Sequence, residues 1–347
     1  MVHGIKLEDG KAKWYRNRYV HTALYDAKAG FGEGPPGGAS NQANVSAFWH
    51  GGKLLTSGEV RLPYELSTDL DNLGVYDYGG ALTTAFTAHP KIDPSTGQMH
   101  FFGYGFTPPF LTYHVADADG TLIHSSEVPV RASTMIHDFT ITETDAVFWE
   151  LPVIFDLAAA TQWIVQPDSG VFPYRWSPDY GARIGVMPLG GPGSAMAWYE
   201  IDPCYVFHGV NAYRDGEKVV LDVCRLTSMF EPGQMLGRNQ RYGYFVETRE
   251  NPDTVEFGGL IKRDYRTLRA ERWDPGPSQH AGEWLFVPEG GSADGDAGCL
   301  LTYLHDHATN RSELMIVDAS DVPAGPVARI TTPQRVPYGF HATWIPA

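Results

Sequence analysis

Met99-His100-Phe101-Phe102-Gly103-Tyr104, followed by Leu111-Thr112-Tyr113-His114-Val115, the turn Asp117-Ala118-Asp119-Gly120 and the return Thr121-Leu122-Ile123-His124, is the stretch that decides the fold. Aromatic and β-branched residues crowd each run, and an Asp/Gly turn separates the last two, so consecutive strands fold back as hairpins. Immediately upstream, residues 89–106 read as a strand approach, the turn Asp93-Pro94-Ser95-Thr96-Gly97 and an aromatic strand. Similar units recur at 146–154, at 205–223 with a turn at Arg214-Asp215-Gly216, at 283–287 and at 299–317. No long segment holds apolar residues at helical spacing. The class expected is therefore all-β, and hairpins recurring every few tens of residues point to a radial or stacked array, of which a β-propeller is the commonest version for a long chain. The glycine-rich stretches 30–38 and 289–298 read as loops, and no linker divides the chain, so residues 1–347 are expected to form one domain.

Composition agrees. The 347 residues carry 38 Gly, 25 Pro and 13% aromatics but only 19% charged residues, which suits short strands and tight turns. Basic residues number 26 against 41 acidic ones, a formal charge of −15, and no Lys/Arg run tracks a phosphate backbone, so nucleic acid is excluded as a partner. Cys204, Cys224 and Cys299 are an odd number at wide spacing, which suits reduced thiols in the cytoplasm. The N-terminus lacks a signal-peptide core and no window is apolar enough to span a bilayer, although an apolar surface patch could touch one.

Thirteen histidines invite a metal reading. His3, His21, His50, His100, His114, His124, His280, His305 and His307 stand in polar, turn or hairpin contexts suited to ordinary surface or hydrogen-bonded imidazoles. His89, His137, His208 and His341 each abut apolar or aromatic residues. Buried imidazoles need partners for both ring nitrogens, and four converging on one point would be satisfied by a metal on one side and carboxylates on the other. Their spacing matches no short metal motif, so convergence requires a closed fold that delivers one side chain from each of several distant strands.

Ordered segments add a resemblance. Met1-Val2-His3-Gly4, Trp14-Tyr15-Arg16-Asn17-Arg18-Tyr19-Val20, Ala88-His89-Pro90-Lys91, Met135-Ile136-His137-Asp138-Phe139, Leu151-Pro152-Val153-Ile154-Phe155-Asp156, the run 180–188 and Gly339-Phe340-His341 cover almost the whole chain. In this order they resemble the carotenoid cleavage oxygenase family, which includes lignostilbene dioxygenases and the retinoid isomerase of the visual cycle. The resemblance implies a seven-bladed propeller with a loop dome over the metal face, and Fe(II) held by His89, His137, His208 and His341. Four neutral imidazoles suit a borderline divalent ion and leave positions open for O₂. It also implies that Glu59 and Glu283 accept hydrogen bonds from the outer nitrogens of the ligands. The implied reaction adds both atoms of O₂ across a conjugated C=C bond of a carotenoid or apocarotenoid, giving two carbonyl products.

Three departures qualify that expectation. The chain starts where family members already have several dozen residues, so an exposed edge or an incomplete blade is expected. A Glu-Phe-Pro-Arg-like stretch is missing between Phe230-Glu231-Pro232-Gly233 and Gly237-Arg238-Asn239-Gln240, which would leave His208 or a neighbour without its acceptor. The stilbene-cleaving branch has a lysine before its first supporting glutamate, whereas Gly58 stands here, which favours an apolar polyene over a stilbene. A stilbene dioxygenase and a non-catalytic propeller scaffold stay open as alternatives. A hydrolase would need a Gly-x-Ser-x-Gly elbow, and Gly191-Pro192-Gly193-Ser194 is only a glycine-rich loop. A calcium lactonase would need axial oxygen ligands where the imidazoles stand. Phe101, Phe102, Tyr104, Phe106, Phe110, Phe148 and Trp149 are available to line a tunnel, but strand aromatics are more often core.

Overall fold

Strands Lys91–Ile92, Met99–Tyr104, Leu111–Ala116 and Leu122–Glu127 form one antiparallel sheet in which each strand pairs with the next along the chain. Every residue of Met99–Tyr104 and of Leu111–Ala116 is buried, which explains why these runs show no apolar/polar alternation: both faces of the sheet are covered. The turn between the last two strands works as its residues dictate. Asp117 Oδ1 accepts the backbone N–H groups of Asp119 and Thr121, and Gly120 takes a positive φ of 86° that side chains resist.

The computed structural model describes residues 1–26, 43–166, 173–226, 241–249, 256–267, 269–289, 295–337, 339 and 341–345. Residues 30–38, residues 290–294 of the second glycine-rich loop, residues 227–240 around the missing motif, Phe340 beside His341 and the side chain of Cys224 lie outside this description.

The chain falls into two compact units, one built on residues from Tyr19 through the 226 region and the other on Val2–Arg18 and the residues from 241 onward. In the first unit, two more four-stranded sheets flank the central one in sequence. One comprises Ser46–His50, Lys53–Ser57, Tyr64–Leu66 and Asn72–Val75; the other comprises Thr140–Ile141, Asp145–Glu150, Ala182–Pro188 and Ala197–Ile201. A long hairpin, Tyr205–Asp215 with Lys218–Leu226, follows. Phe101, Phe102 and Phe148 are fully buried in this unit, each worth ~1.5–3 kcal/mol of burial. They and Tyr104 and Trp149 are core residues, whereas Phe106 is exposed. The helix Leu157–Val165 begins where Asp156 Oδ1 accepts the N–H groups of Ala158 and Ala159.

The second unit holds the hairpin Val2–Glu8 with Lys11–Arg18, a three-stranded sheet of Tyr242–Arg249, Glu256–Asp264 and Ala270–Trp273, and a five-stranded sheet. In the latter, Gln279–Ala281 and Leu285–Pro288 both pair with Gly298–Asp306, which continues to Arg311–Asp318 and Pro326–Thr331. Leu260, Leu300, Leu304, Met315 and Val317 form its core.

Short antiparallel sheets laid down in chain order are the blades of a propeller. The fold is all-β and of that type, with five blades among the described residues; the resemblance implies seven and allows for an incomplete set. Among the described residues no helix is long and apolar enough to cross a membrane.

Candidate metal centre

Three of the four histidines singled out in the sequence come together in the first unit. His89 lies in the segment that leads into strand Lys91–Ile92. Its backbone N–H is held by Thr87 Oγ1 at 3.0 Å, and Pro90 after it keeps the backbone extended. His137 lies between the bridge Thr134–Ile154 and strand Thr140–Ile141. His208 sits inside strand Tyr205–Asp215 at an irregularity of register between Val206 and Gly209, the kind of bulge that re-aims a side chain. A Cβ at Gly209 would lie 3.1 Å from the buried Trp149 ring, which would have to give by a few tenths of an ångström.

The ring centroids of His89, His137 and His208 lie 4.5, 4.6 and 4.9 Å apart, and one nitrogen from each falls within 4.8 Å of the others. His89 Nε2 and His137 Nε2 are 2.9 Å apart. Two ligand bonds of about 2.1 Å meeting near a right angle put their nitrogens about 3 Å apart, so the pair fits adjacent positions on one divalent ion with other positions left open.

Behind the rings stand carboxylates. Glu59 Oε1 lies 2.9 Å from His137 Nδ1, off the line of a well-directed hydrogen bond, and accepts the Tyr104 hydroxyl at 2.8 Å. Burial pushes the Glu59 carboxyl up, but His137, Tyr104 and His208 outweigh it and hold it below the usual carboxylate range. Burial and the neighbouring Glu59 carboxylate raise the Tyr104 hydroxyl well above a normal phenol, so it stays protonated and donates. The resemblance leaves His208 or a neighbour without an acceptor; in the structure Asp138 Oδ2 lies 3.5 Å from His208 Nδ1. Asp138 is 1% exposed, and burial alone would raise it, yet Lys91 at 2.7 Å together with His208 brings it to about 2.

His341 and Glu283 meet within the second unit, His341 Nδ1 lying 2.9 Å from Glu283 Oε2. Glu59 stands at the same 2.9 Å from His137 Nδ1, although there the hydrogen bond is poorly directed. The remaining histidines stay out of the three-membered group, but five are not surface residues: His50, His100, His114, His280 and His305 are buried. The sequence singles out neither Asp138 nor Lys91, and offers Tyr104 only as one of the aromatics available to line a tunnel. The first two stand inside segments already quoted, beside His137 and two residues after His89, whereas nothing in the sequence marked Tyr104 as a partner of Glu59.

Residues 1–235 and 232–346 match the family model described as retinal pigment epithelial membrane protein. A carotenoid cleavage oxygenase of Mycobacterium tuberculosis is 30% identical, with 100% of this chain and 86% of the relative covered. That alignment runs over 442 residues against 347 in this chain, so the relative carries stretches that this chain lacks. Among solved structures, the Pseudomonas brassicacearum lignostilbene dioxygenase superposes with a TM-score of 0.85 at 25% identity, covering 99% of this chain and 86% of that one. A variant of the Synechocystis apocarotenoid oxygenase gives 0.86 at 22% identity, covering 99% and 87%, and shares the fold.

Proposed function

The chain belongs to the family of the retinal pigment epithelial membrane protein and the carotenoid cleavage oxygenases, and from that premise we propose that it is an iron(II) dioxygenase of a conjugated polyene. The substrate class is a carotenoid or apocarotenoid, one C=C bond of which takes up both atoms of O₂ to yield two carbonyl fragments. The observation that carries this reading is the convergence of His89, His137 and His208, with carboxylates behind two of them, Glu59 partly buried and Asp138 fully.

The donor set suits the ion: neutral imidazole nitrogens favour a borderline divalent metal, and three or four of them leave room for O₂. His341, held by Glu283, is a further ligand that the family resemblance implies. Iron(II) bound there supplies the activation of O₂ toward the double bond. The chain's own side chains do the rest. The negative charge of Glu59, 2.9 Å from His137 Nδ1, favours the tautomer that carries its proton there and presents Nε2, and the Tyr104 hydroxyl donates to Glu59 in turn. Phe207, edge-on to His137 at 5.2 Å, helps keep water from the rings.

A lignostilbene dioxygenase is the second reading, favoured by the structural likeness at 25% identity. Against it, the buried residue before Glu59 is Gly58, which offers no cation to a phenolate. Leu157, Val165 and Trp176 are exposed apolar side chains of the kind that a membrane surface takes up. Cys204, buried as a free thiol, suits a reducing cytoplasm.

Anaerobic loading with Fe(II), followed by O₂ uptake and product mass analysis over a panel of carotenoids, apocarotenoids and stilbenes, tests the proposal. Paired carbonyl fragments from a polyene are expected. Bound iron with no oxygen consumed on any polyene would overturn it, and cleavage confined to stilbenes would transfer the assignment to the second reading.

A further inference from the structure

We infer that Asp138 is the positioning residue that ties the three histidine-bearing segments of the centre together and orients the His208 ring. The inference rests on the metal reading of that centre. One carboxylate touches all three segments. Its Oδ1 receives Lys91 Nζ at 2.7 Å, two residues beyond His89, and the backbone N–H of Phe139 at 2.8 Å; its own backbone directly follows His137. Its Oδ2 accepts the Gly209 N–H at 3.3 Å and faces His208 Nδ1 at 3.5 Å.

Those contacts do separate things. A buried carboxylate needs compensation, and Lys91 with two backbone N–H groups supplies it. Holding the loop requires nothing more. The remaining contact, with the outer nitrogen of His208, is the one that fixes which ring nitrogen faces the centre, as Glu59 does for His137. Because Lys91 is tethered to His89 through Pro90, and Gly209 to His208 through the chain, a shift of Asp138 moves all three rings at once. Glu59 acts on one ligand; Asp138 acts on the spacing of the set.

The test compares the parent, His137→Ala, Asp138→Ala and the double variant Asp138→Asn with Lys91→Met, which removes both charges of the pair and so guards against misfolding from an unpaired lysine. Each protein is titrated anaerobically with Fe(II), and separately with Co(II), against a competing chelator. The visible absorption of bound Co(II) reports ligand geometry, and melting temperatures are read with and without metal. The expected result is tight binding by the parent, none by His137→Ala, and affinity lowered about 10- to 100-fold in both Asp138 variants with a changed Co(II) band. A double variant that melts below the parent but binds Co(II) with parental affinity and spectrum would overturn the inference while leaving the metal centre standing. A parent that binds neither ion would overturn the metal reading itself, and with it this one.

Discussion

Two histidine clusters in this protein have almost the same ring spacing and entirely different surroundings. In the first unit His89, His137 and His208 stand 4.5–4.9 Å apart; in the second, His307 stands 4.5 Å from His280 and 4.7 Å from His305. His280 and His305 are direct cross-strand partners and His307 follows just past the strand end, its backbone N–H donated to Ser278 O, so neighbouring positions at one end of a sheet bring them together. In the first cluster three distant segments deliver one ring each, their nitrogens converge, and carboxylates stand behind. Ring proximity is cheap for a β-sheet; convergent donor atoms with acceptors at their backs are not.

The sharpest way to break the comparison is to delete one ring from each cluster. His137→Ala is expected to abolish metal binding and turnover, whereas His307→Ala leaves both at parental levels; metal analysis and oxygen uptake read the difference. If His307→Ala removes the ion, the two clusters have been assigned the wrong way round.

A third population of histidines sets the next effect. His100, hydrogen-bonded to Tyr113, and His114, held between Thr84 and Ser125, are buried neutral, and burial lowers each to about 4. Unfolded histidine titrates near 6.5, so between those values the unfolded chain binds more protons and stability rises with pH. The stabilisation is complete above pH 6.5 and lost as pH falls toward 4, about 2 kcal/mol for each ring by pH 5. Denaturant titrations of the metal-free protein should show this loss, and a double His100→Gln, His114→Gln variant should flatten it.

Smaller effects separate the carboxylate from what supports it. Glu59→Ala should weaken iron binding about 10- to 100-fold in a chelator competition. Tyr104→Phe, which removes one donor from Glu59 and leaves the carboxylate beside His137, should weaken it by less than Glu59→Ala. Equal losses in the two variants would mean that Tyr104, not the charge of Glu59, sets the ring.

Much of this was legible beforehand, and the misses share a cause. Strand Met99–Tyr104 was readable from its aromatics and turn, but its burial on both sides was not, because a run without alternation leaves open what covers each face. His100 and His114 therefore read as ordinary hairpin histidines in the sequence. Glu59 and Glu283 were reached through the resemblance, and each stands 2.9 Å from its histidine. Asp138 was overlooked although it adjoins His137, because its partners Lys91 and His208 are brought to it only by tertiary packing.

The kink of register at His208 sets how this site tolerates changes in chain length. Side chains along a strand alternate between faces, so deleting a single residue between Val206 and Asn211 would send the imidazole to the opposite side of its hairpin. Four residues further on, the turn joining Asp215 to Lys218 lies beyond that parity, and insertions there leave the imidazole's direction untouched. Within one hairpin, an innocuous insertion point and a forbidden deletion stand a few residues apart.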